Sequence, residues 1–364
     1  MIPMVDLREQ YHNLKQELDA RLLQALEETR FILGPNVQAF EQEAAGYLGV
    51  GHAVGCASGT DALHLALLAA GIGAGDEVIT TPFTFIATAE AIRYVGARPV
   101  FVDIDPESFN IDAQQIEATI SERTRAIMPV HLFGQPADMD TIGDIARRHG
   151  LKVIEDCAQS FGASFDERQT GSFGDFGCFS FFPSKNLGCY GDGGLVTTDD
   201  IEMAEQLRMF RNHGSHVRYY HEAVGLNSRL DELQAVILRT KLPHIDAYNA
   251  GRQRVAHLYD EWLSDAPVIT PWAQPGRSHV YHQYTLLSED RDRIMDHLQA
   301  REIASAIYYP VPLHQQKAIA EDCAAQQLPV TEDVARRCLS LPIFPEMTEA
   351  QVEEVASAVL EACR

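Results

Sequence analysis

Lys185 stands in the run Ser180-Phe181-Phe182-Pro183-Ser184-Lys185-Asn186-Leu187-Gly188, just ahead of the glycine cluster Gly191-Asp192-Gly193-Gly194. An amine among aromatic and small side chains loses hydration, and desolvation lowers its pKa toward the range where it acts as a nucleophile. Upstream, Glu155-Asp156-Cys157-Ala158-Gln159 closes an apolar, strand-like run with carboxylates. A buried lysine and an aspartate on another strand are two of the parts a pyridoxal phosphate site needs. The amine bonds to the aldehyde carbon, and the carboxylate pairs with the pyridine nitrogen. Each residue also has a plainer reading: most lysines lie at the surface or snorkel to it, and Asp156 could be a helix N-cap after a strand.

A phosphate needs donors. Ser58-Gly59-Thr60-Asp61-Ala62-Leu63 reads as a strand running into a helix, and the first N–H groups and positive dipole end of a helix form an anion site. On sequence alone Ser58 or Thr60 could equally be a cap. Phe85, in Thr84-Phe85-Ile86-Ala87-Thr88, could be plain core. The run Gly71-Ile72-Gly73-Ala74-Gly75 lacks Gly-x-Gly-x-x-Gly spacing and follows a helix, so it reads as a loop and disfavours a dinucleotide site.

Short apolar runs predict strands at 52–57, 77–81, 99–102, 126–131, 152–155, 176–181 and 195–198. Helical patterns intervene at 61–70, 87–95, 112–120 and 139–149. Leu14, Leu18, Leu22 and Leu26 mark an amphipathic N-terminal helix, and Gly34-Pro35 separates it from a second helix over 37–47. This alternation predicts an α/β sheet covered on both faces, with ligands beyond the carboxyl ends of its strands. Ser58, Gly59, Thr60, Phe85, Asp156, Gln159 and Lys185 all follow predicted strands. From about Asp246 the pattern changes to a long helix, a proline-rich connection, strands near 281–287 and helices over 290–301 and 349–362. We therefore expect a large domain over residues 1–245 and a smaller C-terminal one over 246–364.

The 364 residues suffice for two domains with full cores, and the 46% hydrophobic content fits a globular chain. A formal charge of −23 argues against nucleic acid or an anionic membrane as partner, while leaving room for an anionic small substrate in a local basic pocket. The seven cysteines (56, 157, 178, 189, 323, 338, 363) form no Cys-x-x-Cys pair, which disfavours a disulfide framework or zinc site. No apolar signal core opens the chain and no run is long enough to span a bilayer, so a cytoplasmic protein is expected.

The strings CASGTDALHLAL, TPFTFIATAEAI, EDCAQSFGA, SFFPSKNLGCYGDGG, NSRLDELQA and YYPVPLHQQ, in this order along nearly the whole chain, resemble the DegT/DnrJ/EryC1/StrS family of sugar aminotransferases. The resemblance implies pyridoxal 5'-phosphate as cofactor and a type I fold like that of aspartate aminotransferase: a large domain with a mixed, mostly parallel sheet and a smaller α/β domain. It assigns Lys185 as the Schiff-base lysine and general base, and Asp156 as partner of the ring nitrogen. Gln159 falls on the partner of the ring's phenolic oxygen and Phe85 on the ring-stacking aromatic. Gly59, Thr60 and Ser180 fall on phosphate contacts, and Asn227 on a residue supplied by the neighbouring subunit, which implies a homodimer with shared sites.

The substrates implied are L-glutamate and a keto-sugar nucleotide. The nearest subgroup aminates the 3-keto group of a UDP-N-acetyl-hexuluronate for surface polysaccharide, with lipopolysaccharide O-antigen as one such product. Arg229 would then serve the uronate carboxylate, although a structural salt bridge is an equal reading, and Tyr308, Tyr309 and His314 would reach the sugar. That subgroup often has His-Tyr-Pro where this chain has Tyr308-Tyr309-Pro310. Alternatives are a dTDP- or GDP-linked 3- or 4-keto-6-deoxyhexose, or a non-catalytic regulatory or binding protein of the same fold. Related dehydratases carry histidine in place of the lysine, and Lys185 argues against that activity.

Overall fold

Seven short, buried strands make one sheet in the computed structural model, which describes residues 1–319 and 326–364. Cys323 lies outside the described residues. The strands are β1 (His52–Cys56), β2 (Glu77–Thr80), β3 (Arg98–Phe101), β4 (Thr124–Met128), β5 (Lys152–Asp156), β8 (Phe176–Ser180) and β9 (Gly194–Thr198), with the two-residue strands β6 (Ser164–Phe165) and β7 (Arg168–Gln169) paired apart from it. Their spatial order is β1-β9-β8-β5-β4-β2-β3. Pairings from β8 through β3 are parallel, and β9 runs antiparallel to both neighbours, so β9 alone is reversed. The sheet is mixed and mostly parallel, as expected, and the carboxyl ends of six strands open on one edge.

Helices α1 (Leu7–Glu28), α2 (Pro35–Leu48), α3 (Gly59–Ala69), α4 (Ala87–Tyr94), α5 (Ala113–Ile116), α6 (Met139–His149), α7 (Ile201–Phe210) and α8 (Glu232–Lys241) accompany these strands. On one side Leu65, Ala66, Ile92 and Leu207 pack with Val54, Val78, Ile154 and Val196 of the strands. On the other, Leu14, Leu18, Phe40 and Leu48 meet Phe179, Phe181 and Leu238. After α8 come α9 (Ile245–Trp262), β10 (Tyr284–Leu287), α10 (Arg291–Ala300), α11 (Pro329–Arg337), β11 (Cys338–Leu341) and α12 (Glu349–Ala362). Val255, Tyr259, Leu286, Leu298, Leu341 and Val355 form a separate cluster there, joined by Ile2 from the start of the chain, whose N–H donates to the Glu302 carbonyl at 2.9 Å. A division between residues 245 and 246 would fall at the first turn of α9.

Three expectations shift. The strand expected over 126–131 stops at Met128, because Pro129 has no N–H to give the ladder; its carbonyl instead accepts from Asp156 N at 2.8 Å. The helix expected over 112–120 shortens to α5 followed by a 3-10 turn, Glu117–Thr119. In α1 the four-residue leucine pattern holds only for its first half: Leu14 and Leu18 are buried, while Leu26 is 47% exposed and Ala25 faces inward instead. A period of four overshoots the 3.6-residue turn, so the leucine stripe drifts off the buried face.

Candidate active site

The open edge of the sheet holds a cavity of about 390 Å³ whose walls include Ser58, Gly59 and Thr60 beyond β1, Thr84 and Phe85 beyond β2, Val130 beyond β4, Asp156 and Gln159 from β5, and Ser180 and Lys185 from β8. Five strands thus deliver one set of side chains to one place, as the parallel arrangement requires. Lys185 and Asp156 share this cavity.

Asp156 is 4% exposed. Its Oδ2 accepts from the Thr88 hydroxyl at 2.8 Å and its Oδ1 from Ala158 N at 3.1 Å. Burial pushes its carboxyl pKa up, while these two donors and the Lys185 charge pull it down. It makes no salt bridge among the described residues. A buried carboxylate with no cation in direct contact is costly, so the floor of the cavity suits a positively charged group. Lys185 is held at its backbone by the Phe182 carbonyl, 2.8 Å from its N–H, while its Nζ has no hydrogen-bond partner among the described residues. Burial lowers its pKa to about 8 against the opposing pull of Asp156, which brings the neutral amine far closer to physiological pH than an ordinary lysine at 10.5.

Gln159 is oriented by its neighbours. Its Oε1 accepts from Phe133 N at 2.7 Å, so its NH₂ must be the other end, and that end donates to Tyr309 Oη at 3.0 Å. A second N–H remains for a ligand oxygen. Phe85 is 55% exposed and overhangs the cavity instead of joining the core, with its ring tilted 40° from Tyr309 at 6.3 Å.

Helix α3 starts at the cavity. Ser58 caps it, accepting from Asp61 N at 3.1 Å, and the first N–H groups after the cap have no intrahelical acceptor. Gly59 is required by the approach of β8: a Cβ there would lie 2.6 Å from Ser180 Cβ. A helix N-terminus, the Thr60 and Ser180 hydroxyls, an unpaired amine, a carboxylate lacking a cation and an overhanging aromatic match the phosphate, aldehyde, ring nitrogen and ring face of pyridoxal phosphate.

Three predicted site residues are not in this cavity. Asn227 is exposed and pairs with Asn212, and Arg229 Nη1 donates to Asn212 Oδ1 at 3.2 Å. His314 is buried elsewhere, 3.1 Å from Glu332 Oε1. Tyr308 and Tyr309 do reach the cavity wall. Sequence reasoning missed Thr88, His282 and Gln283. Thr88 is the second residue of α4, and its hydroxyl meets that of Thr84 in the turn before the helix at 3.2 Å, a contact that no helical spacing predicts. His282 and Gln283 arrive from the C-terminal part of the chain with no local signal.

One further cluster, His131, Glu155 and Cys157, brings potential metal-ligand atoms within 4.8 Å. Its donors are already committed. His131 Nδ1 accepts from Ala137 N at 3.0 Å, so Nε2 carries the proton that meets Glu155 at 2.9 Å. Glu155 also takes the N–H groups of Gly171, Phe173 and Gly174 at 2.7–2.8 Å. The cluster is a clamp on the loops behind Asp156.

A mostly parallel α/β sheet with a lysine and an aspartate at the carboxyl ends of adjacent strands defines a pyridoxal-phosphate enzyme of the aspartate aminotransferase type. The chain belongs to the DegT/DnrJ/EryC1/StrS aminotransferase family, whose sequence profile matches residues 12–360. It is 54% identical over 358 residues to the UDP-N-acetyl-3-dehydro-alpha-D-glucosamine 3-aminotransferase of Acidithiobacillus ferrooxidans, covering 98% of this chain and 97% of that one. It is 44% identical over 359 residues to the UDP-2-acetamido-2-deoxy-3-oxo-D-glucuronate aminotransferase of Pseudomonas aeruginosa, covering 99% of each. The structure of S. venezuelae DesV in complex with a ketimine intermediate superposes with a TM-score of 0.97 at 45% identity, covering 100% of this chain and 99% of that one. The enzyme class expected from the motifs, a sugar-nucleotide aminotransferase, is the class of these relatives, and the family's cofactor is pyridoxal phosphate.

Proposed function

We propose that this enzyme moves an amino group from L-glutamate to the 3-keto group of a UDP-linked N-acetyl sugar, working as a homodimer with shared active sites. The observation that carries the reading is the pairing of an unpartnered lysine amine with a cation-seeking carboxylate in one cavity at the end of the sheet. When bound, pyridoxal phosphate supplies the aldehyde carbon and the electron-accepting ring. Asp156 would face the ring nitrogen and favour its protonated form, with Thr88 and Ala158 fixing the carboxylate. Gln159 has a free N–H to offer the phenolic oxygen, and Phe85 would pack on the ring face. Gly59, Thr60 and Ser180 would hold the phosphate. Lys185 would carry the substrate's α-proton at its Nζ, and a pKa near 8 suits it to that role.

Substrate position C3 is supported by the two UDP-sugar relatives, which are named for 3-keto substrates. Asn227 and Arg229 stand apart from their own cavity, which supports their serving the partner's. So do Leu23, Leu26, Phe31 and Ile32, four apolar side chains left exposed along the end of α1 and the turn after it. No helix among the described residues is long and apolar enough to cross a membrane, and the six described cysteines are free, in keeping with work in the cytoplasm. Incubation with ¹⁵N-glutamate and UDP-N-acetyl-3-keto-glucosamine, with or without a C6 carboxylate, should give a ¹⁵N-amine at C3. No labelled sugar from either substrate would refute the reading.

A further inference from the structure

Ser228 lies between two parts of the chain that the proposed function assigns to different active sites. It is fully buried, and its two neighbours in sequence, Asn227 and Arg229, are not. Its hydroxyl accepts from Ala57 N at 3.1 Å and donates to Asp61 Oδ2 at 2.6 Å. Asp61 belongs to the first turn of α3, and its own N–H is taken by the Ser58 cap at 3.1 Å. The chain Ala57 N–H, Ser228 O–H, Asp61 carboxylate is therefore continuous, and a hydroxyl is the group that can both accept and donate in it.

The other side of Ser228 is equally fixed. Its N–H donates to the Arg211 carbonyl at 2.9 Å. Arg211 is buried and donates from Nη1 to Glu41 Oε1 and to the Gly55 carbonyl, at 2.5 and 2.6 Å. Asn212 next to it pairs with Asn227 and accepts from Arg229. The strip carrying Asn227 and Arg229 is thus joined to the main body at its own subunit's phosphate-binding turn.

A phosphate at that turn would bring negative charge close to Asp61. Like charges repel, and the repulsion inside a protein is several times stronger than in water. Asp61 does not line the cavity and has the Ser228 hydroxyl to lean on, and a hydrogen bond to a carboxylate strengthens as the charge is pressed on it. We propose that Ser228 is a positioning residue that couples the two sites of the dimer: cofactor phosphate at the start of α3 in one subunit tightens the Asp61–Ser228 bond and orders Asn227 and Arg229 for the other. The inference rests on the shared-site reading of those two residues and adds a direction of communication to it.

The test is stepwise loading of the full-length protein with pyridoxal 5'-phosphate, followed by native mass spectrometry to count empty, singly and doubly loaded dimers. The wild type should bind its second cofactor on the order of fivefold or more tighter than the statistical ratio. Ser228→Ala should return the ratio to statistical, and Ser228→Thr, which keeps the hydroxyl, should retain the coupling. Asp61→Asn keeps an acceptor but removes the charge and should also lose the coupling, which preserves the test if Ser228→Ala fails to fold. A wild-type dimer that fills statistically, or coupling unchanged in both Ser228→Ala and Asp61→Asn, overturns the inference alone. A chain that weighs as a monomer at every loading overturns the shared-site reading as well.

Discussion

Lys185 and Asp156 are each shifted by burial against their charged form, and each is relieved by the other. Two consequences can be measured. Reductive trapping of pyridoxal phosphate on the cofactor-free protein should rise with pH around a midpoint of about 8, whereas an exposed lysine would place it near 10.5. Stability follows the same shift with a definite sign. Between pH 8 and 10.5 the unfolded chain holds the Lys185 proton more tightly than the folded one, so stability of the cofactor-free protein rises with pH across that window. Lys185→Met should flatten the rise in urea titrations, and an unchanged slope would show the amine to be well hydrated. Asp156→Asn leaves the shape of the site but removes the charge that, on the proposed reading, would keep the ring nitrogen protonated. We expect roughly a 10²-fold or greater loss of kcat with much smaller effects on folding. Thr88, which supports that carboxylate, was not legible in the sequence, because a hydroxyl carries no signal until the strand and turn ahead of it are placed.

At the scale of elements, the site depends on α3 standing close against β8. Gly59 permits this, and so does Gly194 at the start of β9, where a Cβ would meet the Ser58 carbonyl oxygen at 2.3 Å. Gly59→Ala should push the helix N-terminus away from Ser180 and weaken cofactor binding by about tenfold, read as the dissociation constant of pyridoxal phosphate. Gly46→Ala within α2 meets nothing within 4 Å and is the control: cofactor binding unchanged and stability raised by about 0.5–1 kcal/mol. The strands were legible because parallel strands buried on both faces read as continuous apolar runs, as Val153-Ile154 and Ala126-Ile127-Met128 do. The reading also placed the lysine, the aspartate and the glycine-threonine turn at strand ends. It missed α7, α8 and α11, of which α7 and α11 bury only three residues each, and it missed β11, whose four residues gain their meaning from pairing with β10.

At the scale of the whole molecule, the groups that sequence assigned to the site fall into two sets: those in the cavity, and Asn227, Arg229 and His314, which stand away from it. Only the family resemblance marked Asn227 as a residue for a neighbouring copy; composition and periodicity could not, since that use depends on a surface formed only after folding. The proposed sharing of sites is tested by a mixing experiment. Lys185→Ala and Asn227→Ala should each be nearly inactive alone, yet after subunit exchange about a quarter of all sites should regain both groups. No recovery on mixing, with dimers intact, would remove Asn227 from the partner's site. Arg229 tests the sugar: Arg229→Ala should raise the KM for a uronate substrate at least tenfold more than for the neutral sugar, and equal effects would free Arg229 from any carboxylate.

The account as a whole stands on one amine bonding the cofactor. Borohydride reduction of the pyridoxal-phosphate-loaded protein, digestion and mass mapping of the pyridoxyl label address this directly. The label is predicted on Lys185 and absent from Lys241, a fully buried lysine whose pKa is likewise lowered to about 8. A label on Lys241 or any other lysine, with Lys185 unmodified, would contradict the account.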